Sequence, residues 1–389
     1  MDVKRLVGGI ILVALLTACD QKKSSQTVFP GNNQKNGTTD FTCQQTQANF
    51  IPTRFIVTWE DGHISVENSE NSDLFVNEFV EPNLQGIRHV EYDRWIHIED
   101  QIVHTDAVPD NGWGQRVIQL DAVHAQGVKG QGVVVAIVDT PVDYSHPLLK
   151  NRMVPGWDFV TNSAQATLPH EHATHIAGVI GAEEGGVLNS LAPQANIMGV
   201  SFMDASGSGT LSDAVLAMNY AADHGAKVIN NSWGGPLCSE TMRTTMKALS
   251  DKGVLLMVAA GNDGVDILKS PTFPASFMTP LQITVGAAQA SDIMSAFSNT
   301  SWTLVHLAAP GQDIYSSVPG GYAMMSGTSM ATPFVAGAAA LLIGAKPTAS
   351  PAQIRQALLS SVDPGPFRVS TQGRLNVQRA LDEIRRLVP

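Results

Sequence analysis

The sequence predicts an α/β fold, a doubly wound and mostly parallel sheet flanked by helices, with a small α+β unit ahead of it. Three observations carry that expectation. Beyond about residue 110, short apolar runs alternate with stretches of helical period, the pattern of a parallel sheet with crossover helices. Residues 133–138 (Val-Val-Val-Ala-Ile-Val) are apolar throughout, as a strand covered on both faces requires. The chain has 389 residues, enough for one large domain and a smaller one.

The N-terminus reads as a targeting segment. Lys4 and Arg5 precede an apolar run over residues 6–18, shorter than the roughly 20 residues a membrane span needs, so residues 1–18 read as a secretory signal. Its end, Leu16-Thr17-Ala18-Cys19, resembles the bacterial lipobox, in which the cysteine is lipidated and becomes the first mature residue. An ordinary signal with an incidental cysteine is the alternative. Small residues before Cys19 and a polar stretch after it favour lipid attachment, and with it an exported cell-membrane lipoprotein. Asp20 resembles the inner-membrane retention signal of some lipoproteins. Residues 19–50, rich in Gln, Asn, Ser, Thr and Gly, suit a flexible tether.

Residues 51–110 read as the small α+β unit. Residues 55–59 form a strand ending at the Asp61-Gly62 turn. Leu74, Phe75, Val76, Phe79 and Val80 have helical spacing, with Pro82 as the stop. Residues 89–92 and 95–98 read as further strands. From 111 to 389 the larger domain follows. Its expected strands cover residues 133–138, 197–200, 227–230 and 254–258, with helices over 211–224 and near 241–251. Gly225 closes the first of these, and Ser350-Pro351 caps a last one.

Composition excludes some functions. There are 24 basic against 35 acidic residues, a net charge of -11, and no basic stripe, so no nucleic-acid partner is expected. The three cysteines, Cys19, Cys43 and Cys238, are too few for a disulfide scaffold and match no zinc spacing. Cys43 and Cys238 can pair in an oxidising compartment.

Three stretches carry candidate chemistry. Asp139 follows the apolar strand directly, an acid at the sheet rim; alone, it equally fits a turn aspartate. His172 lies in His170-Glu171-His172-Ala173-Thr174-His175, where small residues point to a helix packed against the sheet. The histidine spacing is not that of the i, i+4 zinc-protease pair, so a metal hydrolase built on His170, His172 and His175 is disfavoured. Ser329 lies in Ser326-Gly327-Thr328-Ser329-Met330-Ala331, leading into an Ala-rich helix. There it meets unpaired N–H groups and the positive dipole end, or serves as a plain cap.

Together, and in this order, the three stretches resemble the Asp-Thr-Gly, His-Gly-Thr-His and Gly-Thr-Ser-Met-Ala motifs of the subtilisin-like serine proteases. The resemblance extends over roughly residues 112–380, through Ala192-Pro193, Ser232-Trp233-Gly234-Gly235, Ala259-Ala260-Gly261-Asn262, Ala309-Pro310-Gly311 and Gly373-Arg374-Leu375-Asn376. It implies a serine endopeptidase with Ser329 as nucleophile, His172 as base, Asp139 as its orienting acid and Asn262 in the oxyanion hole. It implies peptide binding by Gly207-Ser208-Gly209 and Ser232-Trp233-Gly234, although Gly207–209 also fits a flexible loop. It implies that residues 51–110 are a propeptide acting as an intramolecular inhibitor; a permanent accessory domain is the alternative. Asp263 falls near the S1 rim, where it either favours a basic residue or is a solvated acid.

Four positions depart from the family pattern. Pro141 and Ala173 replace glycines, and Phe334 stands where a histidine is common, a change expected to be structural. Leu148 stands where many relatives place a calcium-ligand aspartate, so a strong calcium site is expected to be absent, with no metal or cofactor required. A catalytically silent subtilisin fold acting as a membrane-bound binding module is the alternative function.

Overall fold

The computed structural model describes Cys43 and residues 49–98, 112–164 and 168–389. The predicted signal, Cys19, Asp20 and nearly all of the tether lie outside the described residues. The chain divides into two compact units, Met1–Arg94 with Ser239–Thr241, and Trp95–Cys238 with Met242–Pro389. The boundary expected near residue 110 therefore falls earlier, because residues 95–97 find their backbone partners in the second unit.

In the first unit β1 (Phe50–Trp59) pairs antiparallel with both β2 (Ile64–Asn68) and β3 (Ile87–His97). Alternation along the strands turns Phe55 and Val57 of β1 and Val90 and Tyr92 of β3 onto one face, against Phe75, Val76 and Val80. Those three sit on a helical run of Ser72–Phe75, a π-turn over Val76–Val80, and Glu81–Asn83. Asn71 caps its start, its Oδ1 accepting from Leu74 N at 3.0 Å. The run ends at Asn83, one residue past Pro82, close to the stop expected there.

The second unit contains a nine-stranded sheet. In chain order its strands are β4 (Val134–Asp139), β5 (Met153–Asp158), β6 (Asn196–Ser201), β8 (Val228–Asn231), β9 (Leu255–Ala259), β10 (Gln282–Ala288), β11 (Leu307–Pro310), β14 (Asp363–Pro364) and β15 (Gly373–Arg374). Spatially they run β14-β15-β11-β10-β9-β8-β4-β6-β5, parallel except for the β14–β15 pair. Outside this sheet lie β7 (Ser208–Thr210) and the hairpin of β12 (Ile314–Val318) and β13 (Gly321–Met325). The chain moves from β4 outward to β5 and β6, then returns to β8 on β4's other side. The carboxyl end of β4 is thus the switch point where doubly wound sheets place their ligands.

Helices α1 (Glu171–Gly181), α2 (Leu211–Asp223), α3 (Glu240–Asp251), α4 (Thr328–Ala345), α5 (Pro351–Ser360) and α6 (Val377–Leu387) flank the sheet. α4 is long and apolar enough to cross a membrane, yet 83% of it is buried, which makes it a core helix. Ser350 and Gln353 cap α5 reciprocally, but α5 is not the last helix: α6 follows it, capped by Asn376. Phe334 is fully buried in the main core, in line with a structural role. Leu148 packs on that core, and its methyl groups lie so close to Gly186 that a Cβ there would meet one at 2.7 Å. Cys43 and Cys238 are both disulfide-bonded.

Candidate active site

The sheet rim supplies the acid. Asp139 ends β4 with its side chain fully buried. Its Oδ1 accepts from Thr140 N at 2.7 Å, from Thr140 Oγ1 at 3.1 Å and from His172 Nδ1 at 2.6 Å. His172 stands in the first turn of α1, also at 0% exposure. Burial of the pair keeps water from competing for the carboxylate and fixes the imidazole tautomer with Nδ1 as donor.

Ser329 occupies the second position of α4 and is 3% exposed. Its Oγ donates to Ser232 O at 2.9 Å, and Ser232 Oγ donates back to Ser329 O at 2.9 Å. Asn262 accepts at Oδ1 from Thr328 N at 2.8 Å and Thr328 Oγ1 at 3.0 Å. With Oδ1 committed, Nδ2 is the donor end of that amide, beside the helix start that carries Ser329. Ser329, Asn262, Ser232, Trp233 and Gly234 line one cleft of about 1200 Å³. Asp263 also lines it, exposed, held by a 3.1 Å bond from Asn299 Nδ2.

Gly207, Ser208 and Gly209 are brought to the same region by β7. Residues 95–97 pair antiparallel with Ser208–Thr210, Ile98 N donates to Gly207 O at 2.9 Å, and His97 and Ile98 line the cleft. A stretch of the chain's own backbone thus adds a strand to β7, and its end forms part of the wall of the cleft that holds Ser329. Gly207 has φ of 76°, and a Cβ on Gly209 would clash with Phe202 O, so this loop is a built edge and not a flexible one. Trp233 also has its ring packed against Phe202, with Nε1 donating to Val138 O at 2.8 Å.

The three neighbouring histidines take separate partners. His170 Nδ1 accepts from His172 N at 3.1 Å, His172 Nδ1 faces Asp139, and His175 Nε2 lies 2.8 Å from Ile314 O. Their imidazoles do not converge on a common point in the manner of a metal site. Among the described residues no group of three His, Cys, Asp or Glu side chains could hold a metal ion.

Sequence reasoning missed Thr328 as the residue that orients Asn262, the placement of His97 and Ile98 in the cleft wall, and the cap made by His170. Thr328 carried a signal as a hydroxyl at a helix start; the other two depend on partners far along the chain.

Comparison with known proteins places the chain among peptidases. The profile of the Subtilase family matches residues 130–380. A thermophilic serine proteinase from Bacillus sp. (strain AK1) is 41% identical over 64% of this chain and 62% of its own length. Thermitase from Thermoactinomyces vulgaris is 39% identical over 65% of this chain and 90% of its own. The crystal structure of a cold adapted subtilisin-like serine proteinase, 36% identical, superposes with a TM-score of 0.59, covering 64% of this chain and 90% of that one.

Proposed function

The chain belongs to the subtilase family of serine proteases, and from that membership we propose that it is an endopeptidase acting through an acyl-enzyme at Ser329, exported, lipid-anchored at Cys19 and made as a zymogen. The observation that carries the chemistry is the buried 2.6 Å contact between Asp139 and His172 at the switch point of the sheet. His172 takes the Ser329 proton as Oγ attacks the peptide carbonyl, then delivers it to the leaving amine. Asp139 holds the ring and favours its positive form. The oxyanion forms between Asn262 Nδ2 and the Ser329 N–H, at the positive end of α4. Protein or peptide substrates bind as an extended strand against Gly207-Ser208-Gly209 and Ser232-Trp233-Gly234.

The zymogen reading is supported by residues 95–97, which add to β7 as a substrate strand would, with His97 and Ile98 lining the cleft, just after a compact N-terminal unit in the chain. That unit then serves as an intramolecular inhibitor. Export is supported by the signal segment and agrees with disulfide-bonded Cys43 and Cys238. No cofactor is required, and Leu148 offers methyl groups where a calcium ligand would need an oxygen.

A fluorophosphonate probe tests this reading. Wild-type protein should be labelled covalently at Ser329 in the presence of a chelator, Ser329→Ala should not, and the N-terminus of the labelled protein should fall near residues 100–112. A wild-type chain left unlabelled would instead support the silent binding module.

A further inference from the structure

The turn after Asp139 and the start of α1 are joined by a closed circuit of hydrogen bonds. Thr140 Oγ1 donates to Asp139 Oδ1 at 3.1 Å and accepts from Ala173 N at 3.2 Å. His170 N donates to Pro141 O at 2.8 Å, and His170 Nδ1 accepts from His172 N at 3.1 Å. The 2.6 Å contact between His172 Nδ1 and Asp139 Oδ1 closes the ring. Two residues of this circuit, Pro141 and Ala173, are among those that depart from the family pattern.

His170 is the N-cap of α1, in extended conformation with φ -117° and ψ 149°. Capping is a task usually given to Ser, Thr, Asp or Asn. Here an imidazole performs it, and the N–H it satisfies belongs to His172 itself. Its backbone is fixed from both sides, by Pro141 O and by Thr174 Oγ1, which donates to His170 O at 2.8 Å. Asp204 lies near enough to His170 to interact with it electrostatically; burial works against ionisation of Asp204, but hydrogen bonds from Ser206 and Ser208 hold its carboxyl below the ordinary value. Glu171 and His172 adjoin His170 on its own helix.

We propose that His170 is a positioning residue for His172: by capping the amide of the base and latching onto the turn behind the acid, it sets where the His172 ring stands. This rests on the reading of Asp139, His172 and Ser329 as the reacting set. Rates fall steeply with small displacements of a catalytic group, and losing a cap acceptor loosens the first turn in which that group stands.

The test is kinetic and uses the mature protein, with rates expressed per active site titrated by fluorophosphonate. His170→Ala should lower kcat roughly tenfold while KM stays within about twofold. His170→Asn, whose side-chain oxygen can accept from the same amide, should recover kcat to within about threefold of wild type. A cap with only a structural role would reduce the number of titratable sites and leave kcat per site unchanged, and that result would overturn the proposal. So would His170→Asn as slow as His170→Ala. Wild-type protein that neither hydrolyses peptides nor reacts with the probe would remove the underlying reading, and the proposal with it.

Discussion

Two histidines of the second unit, His172 and His306, are both buried and differ in nearly everything else. His172, in the first turn of α1, places Nδ1 2.6 Å from the Asp139 carboxylate. His306 sits just before β11. Its Nδ1 accepts from Thr284 N at 2.9 Å, and its Nε2 lies 2.8 Å from the Arg355 guanidinium on α5. Burial, and then the charge of Arg355, push His306 down to about 3. An imidazole enclosed with a cation is held neutral and does no proton chemistry near neutrality. Enclosed with an anion, it is prepared to accept a proton. Burial alone does not make a base; the sign of the buried partner does.

Removing the partner on the reactive side should have the largest effect. Asp139→Asn is expected to lower kcat by about 10⁴, the range known for the same change in another Ser-His-Asp protease. Near-normal turnover in that variant would break the comparison, because His172 would then need no anion. Asn262→Ala acts beside the pair without touching the imidazole. Its expected loss in kcat is about 10²–10³, the range known for the oxyanion-hole asparagine of a subtilisin, with the fold intact by circular dichroism.

The smallest effect is on the inert side and concerns stability. The folded value of about 3 for His306 lies below the ordinary 6.5, so the unfolded chain binds this proton first as pH falls. The contribution of His306 is fully present above about pH 6.5 and is lost as pH drops toward 3, by at most about 1.4 kcal/mol per pH unit. Urea unfolding of Ser329→Ala protein at pH 7, 5.5 and 4 measures the slope, and adding His306→Gln should flatten it. Identical slopes would mean that His306 is already charged in the folded protein.

Elements with a strong local pattern were legible before any coordinates. The apolar run over residues 133–138 became β4, and the Ser350-Pro351 cap became the start of α5 with its reciprocal bonds to Gln353. Gly225, expected to close a helix, has φ of 91° after α2. Short elements that depend on distant partners were not legible. β7 has three residues, and pairing with residues 95–97 defines it as a strand. β2 and α6 were overlooked.

The candidate site divides in the same way. Asp139, His172, Asn262 and Ser329 stood out because each lies in a short motif whose order along the chain is informative. Trp233 lines the cleft, but the sequence could not say that its indole would turn inward to Val138 O. His170 looked like a possible metal ligand and is a helix cap.

By itself, the amino-acid order determined the fold class, singled out Asp139, His172, Asn262 and Ser329 as candidates, and marked the apolar strands beside them. These follow from residue type and spacing, which act locally. Tertiary structure alone decided which hydrogen-bonding atom meets which: Asp139 with His172 across 33 positions, Asn262 with Thr328 across 66, Ser329 with Ser232 across 97. Such contacts follow from how β4, α1 and α4 are packed, and a buried polar atom takes the partner that packing leaves within reach, however far away it lies along the chain.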